Sequence, residues 1–218
     1  MNWLAGAIIA GITSFTATNI DDLVILMLFF AQVNASFRPR QIVVGQYLGF
    51  STLIIASLPG FFGGLIVPRA WIGLLGLVPI AIGVSRLVNP KKDEEVQAVS
   101  DELNHSRGNN SFASTLASLI SPQTFNVAAV TFANGGDNIG IYVPLFASST
   151  LASLVVILCI FFLLIGVWCY MAYLLTRQAA IAHVLTRYGK ALVPFVLIGL
   201  GIFILFESGT YQLLPSFQ

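Results

Sequence analysis

The chain has 218 residues, of which 57% are hydrophobic and 9% are charged, and its formal net charge is +1. Apolar runs of about twenty residues or more recur along it, which is the length that an α-helix needs to cross a bilayer. This composition indicates an all-α polytopic membrane protein. It argues against a nucleic-acid-binding domain, which would carry clustered basic residues.

Apolar runs predict six transmembrane helices, at residues 3–32, 41–66, 71–89, 112–147, 151–176 and 189–207. The first run has no basic flank and no cleavage site, so we expect a retained helix and not a signal peptide. The stretch between the third and fourth spans is too polar to bury a core. The predicted organisation is a three-helix repeat, a cytoplasmic polar linker and a second three-helix repeat, at residues 1–90, 91–111 and 112–218.

Positive charge is distributed unequally between the predicted loops. Nine of the ten Lys and Arg residues follow spans one, three and five, and only Arg69 lies on the opposite side. Because basic residues in short loops are retained in the cytoplasm, both termini are predicted to lie outside the plasma (inner) membrane. A five-span alternative, with one re-entrant run, would place the termini on opposite faces.

Short sequence matches recur at nearly one offset. Asp21 and Asp137 are 116 residues apart, and Phe30-Ala31 recurs as Phe146-Ala147 at that offset. The Leu-Val-Pro of residues 77–79 recurs at 192–194. These matches predict two homologous halves of three spans each. Because three is odd, the second half would enter the membrane inverted, as in many secondary transporters.

Acidic residues lie inside the first and fourth apolar spans. A carboxylate at membrane depth costs several kcal/mol, so it usually faces a protein interior, a water-filled cavity or a bound cation. Asp21 and Asp137 correspond in the repeat and are expected to be paired ligands, whereas Asp22 corresponds to Asn138 and is expected to exchange a proton. The candidate metal ligands are Thr18, Asn19, Asp21, Asp22, Asn134, Asp137 and Asn138.

Both motif helices are predicted to be broken or kinked at the acidic residues. A helix of thirty residues is about 45 Å long, against a hydrocarbon core of about 30 Å, so the first span must tilt, protrude or break. The fourth span contains Pro122, Gly135-Gly136 and Pro144, which permit unwinding. Unwound carbonyl groups there would add oxygen ligands to the carboxylates.

Oxygen ligands suit hard or borderline divalent ions such as Mn, Ca or Mg, whereas a soft metal recruits thiolates. The two cysteines, Cys159 and Cys169, are ten residues apart in one span and are expected on different faces as buried apolar residues. A buried polar network that only fixes helix packing is the structural alternative. Glu207 is expected to be an interfacial carboxylate or a proton-relay group, and Gln46 is within possible reach of the site.

Two segments resemble the paired signatures of the cadmium resistance transporter family, of the CadD type within the lysine-exporter-like superfamily. These segments are residues 18–26, TNIDDLVIL, and residues 135–144, GGDNIGIYVP. The resemblance covers essentially the whole chain and implies efflux of divalent cadmium. It assigns Asp21, Asp22 and Asp137 to the acidic motif positions, with Asn19 and Asn138 beside them.

The leading hypothesis is therefore a secondary exporter of divalent metal cations, coupled to proton or cation exchange, with no cofactor and no enzymatic activity. No phosphate-binding loop or ATPase-sized soluble segment supplies another energy source. An intramembrane aspartyl protease is less favoured, because the sequence before Asp137 lacks the Gly-x-Gly-Asp order. A harder cation as substrate and a non-transporting scaffold subunit are the alternatives. The expected partners are the cation, protons and membrane lipid, and a homo-oligomer is compatible with the sequence.

Overall fold

The computed structural model describes residues 3–88, 121–176 and 178–210. The predicted linker at 91–111 lies outside the described residues, as do the side chains of Arg69, Asp137 and residues 179–190. All regular secondary structure in the described ranges is helical, in agreement with the predicted all-α class.

The helices follow the predicted spans, except that the last helix begins at Ala179, ten residues before the predicted start at residue 189. They are α1 (Trp3–Ala31), α2 (Pro39–Ile66), α3 (Arg69–Ile72) with a 3₁₀ turn (Gly73–Gly76), α4 (Leu77–Val88), α5 (Pro122–Asn134), α6 (Gly136–Ser148), α7 (Leu151–Leu175) and α8 (Ala179–Glu207).

Within the described ranges, four helical stretches are long and apolar enough to cross a membrane: Trp3–Ala31, Pro39–Ile66, Ala70–Val88 and Leu151–Leu175. Two shorter apolar helices, Asn138–Ser148 and Ala191–Glu207, fall in the fourth and sixth predicted spans. A helical membrane protein agrees with these lengths, and the six-span inverted repeat stays a prediction.

The first acidic motif does not break its helix, contrary to the prediction. Helix α1 is continuous from Trp3 to Ala31. Beyond Gly11 it contains no glycine or proline, the residues that most often break helices. Thr18 Oγ1 also donates a hydrogen bond to the Ser14 carbonyl one turn earlier, as Asn19 Nδ2 does to Phe15. Since the helix is intact, its length requires tilt or protrusion in a bilayer.

The fourth span is interrupted at Gly135, as predicted. Helix α5 ends at Asn134 and α6 begins at Gly136, while Gly135 itself has φ −85° and ψ 14°. Its N–H still bonds to the Thr131 carbonyl at 3.0 Å, and its own carbonyl accepts from the N–H of Asn138 at 3.1 Å. A Cβ at Gly135 would collide with the side chain of Leu53 on α2, which is fully buried, so the packing of α2 favours glycine here.

Helices from the two predicted halves pack against each other throughout the bundle. Helix α1 contacts α7 and α8, α2 contacts α5 and α6, and α4 contacts α8. Helix α2 approaches its partners through glycines: a Cβ at Gly49 or Gly60 would lie 2.6 Å from the carbonyl oxygen of Ala128 or Val143. Such small residues allow helix backbones to approach closely, which strengthens packing in a membrane. These contacts hold α5 and α6, which carry the second motif, against α2.

Candidate metal site

Side chains from two other helices contact the carboxylate of Asp22 on α1. Asp22 is only 2% exposed, on the inner face of α1. Gln46 on α2 donates from Nε2 to Asp22 Oδ2 at 3.1 Å, and Asn134 at the end of α5 donates from Nδ2 to Asp22 Oδ1. The two acidic motifs therefore meet at one buried carboxylate, with Asn134 supplied by the residue just before the interruption at Gly135.

A second hydrogen bond fixes the orientation of Gln46. Thr131 Oγ1 lies 2.6 Å from Gln46 Oε1 and donates to it, which leaves Nε2 directed at Asp22. Gln46 and Thr131 are 4% and 2% exposed. Buried polar groups are retained at low cost only when they are hydrogen-bonded, so this network accounts for their presence in an apolar bundle.

A neighbouring polar cluster joins α1 to α6 and α7. The Tyr142 hydroxyl lies 2.7 Å from Thr18 Oγ1 and 3.0 Å from Asn19 Nδ2. Trp168 on α7 donates from Nε1 to the Asn19 carbonyl at 2.8 Å. Because Thr18 and Asp22 are four residues apart, the two clusters lie one above the other on the same face of α1.

Aromatic rings surround Tyr142, whose side chain is fully buried. The Tyr142 ring lies 4.9 Å from that of Phe161 and 6.0 Å from those of Phe50 and Phe146, measured between centroids. Phe15 contacts Phe50 and Phe161 in the same group. A dense apolar layer therefore lies next to the Thr18 cluster.

The other predicted ligands differ in their surroundings. Asp21 is half-buried and lies on a different face from Asp22, because adjacent residues diverge by about 100° on an intact helix. Asn19 and Asn138 are buried, and Asn19 Oδ1 and Asn138 Nδ2 have no hydrogen-bond partner among the described residues. Such atoms are rare in protein interiors and leave polar capacity for a ligand.

Asp137 lies in the first turn of α6, but its side chain is outside the described set. Among the side chains that are described, His, Cys, Asp and Glu form no group of three or more able to hold a metal ion. The site of three carboxylates therefore stays a prediction. Among the described side chains, Asp22 is brought together with the neutral amides of Gln46 and Asn134.

A family model described as "Cadmium resistance transporter" matches residues 15–217. The chain belongs to the cadmium resistance transporter family. No curated protein and no solved structure gives a match. The match includes both acidic motifs and confirms the family resemblance, while the CadD type and the lysine-exporter-like superfamily stay predictions. Membership in this family implies a divalent metal ion as substrate and agrees with a membrane protein.

For a member of the cadmium resistance transporter family, the cysteines are of interest as soft ligands. Both are free thiols, of which Cys159 is exposed and Cys169 is buried. The two therefore lie on different faces of α7, as predicted. The expectation that both are buried was wrong for Cys159. Cys169 lies near enough to Asp22 for charges on the two groups to interact. A buried thiol therefore lies within electrostatic range of the Asp22 carboxylate.

From the sequence, the position of Gln46 relative to the site could not be predicted. Thr131, Tyr142 and Trp168 were not identified as neighbours of the motif residues. Gln46 and Thr131 had a usable signal, because each is a polar side chain within an apolar span. Tyr142 and Trp168 had none, since Tyr and Trp in membrane helices are most often explained by the membrane–water interface. Their partners became evident only from the packing of α6 and α7 against α1.

Proposed function

We propose that this protein is a secondary transporter that exports divalent heavy-metal cations, cadmium among them, across the plasma membrane. The cation would bind near the membrane midplane at Asp22. One observation carries the proposal: a buried carboxylate on the first motif helix is contacted by Asn134 of the second motif and by Gln46. Family membership supplies the substrate class.

The pattern of helix contacts supports two inverted halves. A twofold axis would exchange span one with four, two with five, and three with six. The packing of α1 on α7 would then correspond to the packing of α2 on α5 and α6, and α4 would pack on α8. All of these contacts occur. The same exchange places Asp22 opposite Asn138 and Thr18 opposite Asn134, so the site would combine one acidic and one mainly neutral half.

The amide groups around Asp22 give the site two usable states. With their nitrogen atoms directed at Asp22, Gln46 and Asn134 stabilise the carboxylate when no metal is bound. A reversal of each amide would direct Oε1 and Oδ1 toward a cation held by Asp22. The Thr131 hydroxyl can donate or accept, so it would hold Gln46 in either orientation. Metal would thus enter without a large change in backbone structure.

Charge balance supports coupling to protons. If Asp21, Asp22 and Asp137 all contributed, the site would hold one negative charge more than a divalent ion neutralises. A proton would then bind as the metal leaves, which describes metal/proton antiport. The experiment is Cd²⁺ uptake into inverted vesicles or liposomes containing only the purified chain, with and without an imposed pH gradient.

We expect uptake that rises with the proton gradient in the wild type, and a loss of at least about 100-fold in Asp22→Asn, because the principal charged ligand is removed. Equal rates of Cd²⁺ uptake with and without the pH gradient would exclude proton coupling. If the purified chain transports no metal at all, the scaffold alternative is favoured. A panel with Mn²⁺ and Ca²⁺ would identify a harder substrate.

A further inference from the structure

A cavity of about 290 Å³ opens at the end of the bundle where α1 begins and α8 ends. It is separate from the polar cluster around Asp22. The last turns of α2, α6 and α8 and the first turns of α1 and α7 surround it. Its polar lining consists of Ser148, Ser149, Thr150, Ser153, Glu207 and Ser208.

Glu207 is the charged residue among the described residues that line this cavity. Three helices end here and two begin, so the partial charges of their termini largely offset one another. Glu207 carries the full charge among these described lining residues, and its exposed carboxylate favours a cation as ligand.

Ser208 provides an independent indication of a ligand. Its side chain is 8% exposed, and its Oγ is buried without a hydrogen-bond partner among the described residues. An unsatisfied buried hydroxyl commonly marks a bound ion or water. Ser208 follows Glu207 at the end of α8, and both residues line the same cavity.

The hydroxyls on the opposite wall are suited to accept and not to donate. Ser148 and Ser149 each donate to the Leu145 carbonyl, at 2.9 and 2.7 Å, so their hydrogens are already used. Their remaining lone pairs can contact a cation. One carboxylate with several neutral oxygens is typical of a weak site for a hydrated divalent ion.

A row of small residues connects this cavity with Asp22. Gly6 and Ala10 on α1 line the cavity, and Ser14, Thr18 and Asp22 follow at steps of one turn. All five are buried. Tyr142 contacts Thr18 between the two ends of the row.

We infer that this cavity is an exit-side binding site for the exported divalent cation, with Glu207 as its charged ligand and Ser208 among its neutral ligands. The inference rests on the proposed function, and on the predicted orientation that places this end outside. The site would receive the ion from Asp22 and release it readily, because Glu207 is exposed to solvent whereas Asp22 is buried.

The test is equilibrium binding of Cd²⁺ to the purified full chain in lipid nanodiscs. We expect a tight and a weak class of site in the wild type. Glu207→Gln should raise the Kd of the weak class by about tenfold or more and change the tight class by less than about twofold, because one of two separate charged ligands is lost. Ser208→Ala should weaken the same class by about threefold, since it removes a neutral ligand without breaking an internal hydrogen bond.

Glu94→Gln is the matched control, because it removes the same charge from the predicted cytoplasmic linker, and it should leave both classes unchanged. If neither Glu207→Gln nor Ser208→Ala changes the Kd of the weak class, the inference is overturned. It is also overturned if no weak class is found because the cavity holds water only. Asp22→Asn should remove the tight class alone. If it does not, while Glu207→Gln still removes the weak class, the central site is contradicted and the cavity site is supported.

Discussion

Asp21 and Asp22 are adjacent in the sequence, but their environments differ, so we expect them to have different functions. Both oxygens of Asp22 accept hydrogen bonds from amides that belong to other helices, whereas Asp21 is half-buried on another face of α1. The repeat favoured Asp21 as a ligand because Asp137 matches it. Burial and contact make Asp22 at least as strong a candidate, which is why the transport test above uses Asp22→Asn.

Cys169 has a testable effect on the choice of metal. It is buried within electrostatic range of Asp22, whereas Cys159, ten residues earlier on α7, is exposed. Because thiolates prefer soft ions, Cys169→Ser should reduce the preference for Cd²⁺ over Mn²⁺ by about tenfold, chiefly through weaker Cd²⁺ binding.

Competition between the two metals for the purified protein would measure that preference. Cys159→Ser is the control, because it makes the same chemical change on an exposed face. Equal preferences in wild type and Cys169→Ser would show that oxygen and amide groups alone select the metal.

At the scale of helices, glycines determine how closely α2 approaches α6. A Cβ at Gly60 would lie 2.6 Å from the Val143 carbonyl oxygen, but a Cβ at Gly63 would meet no described atom within 4 Å. Gly60→Ala should therefore lower the free energy of unfolding by about 1–3 kcal/mol through overpacking. Gly63→Ala should raise it by about 0.5–1 kcal/mol, because alanine favours the helix.

Thermal unfolding of both variants in detergent would check the difference. The two positions are in one helix and are both half-buried, so each serves as a control for the other. Equal destabilisation by both substitutions would mean that the close approach of α2 to α6 does not determine stability.

The helices also show what the sequence could and could not predict. The interruption at Gly135 was predictable, because paired glycines lower the cost of leaving the helix. The break predicted in α1 was wrong, because acidic residues alone do not disrupt helical hydrogen bonds. The contacts of Gln46 and Thr131 with Asp22 were not predictable, since they depend on which face of α2 meets α5, and that face is set by the packing of the glycines.

For the whole molecule, the hydrogen bonds of Tyr142 link α6 to α1 along the row of small residues between the cavity and Asp22. Tyr142→Phe keeps the ring and removes the hydroxyl that contacts Thr18 and Asn19. We expect the exit side to open more often. A cysteine placed at Ser14, which is fully buried, should react several-fold faster with a membrane-impermeant thiol reagent.

The experiment requires a background in which Cys159 and Cys169 are serine. Tyr47→Phe is the matched control, since it removes a phenol that donates to the Phe162 carbonyl at 2.9 Å and touches neither Thr18 nor Asn19. Unchanged labelling in Tyr142→Phe, or equal acceleration in Tyr47→Phe, would contradict a specific closure at Tyr142.

The continuity of α1 gives the two motif helices unequal mechanical properties. Helix α1 has no interruption over its 29 residues, so Asp22 is carried on a stiffer element than Asn134, which lies beside the interruption at Gly135. A bend at Gly135 would change the distance between Asn134 and Asp22 without deforming α1. If the halves arose by duplication, they have since diverged in stiffness as well as in charge, and the opening and closing of the site need not be mirror images of one another.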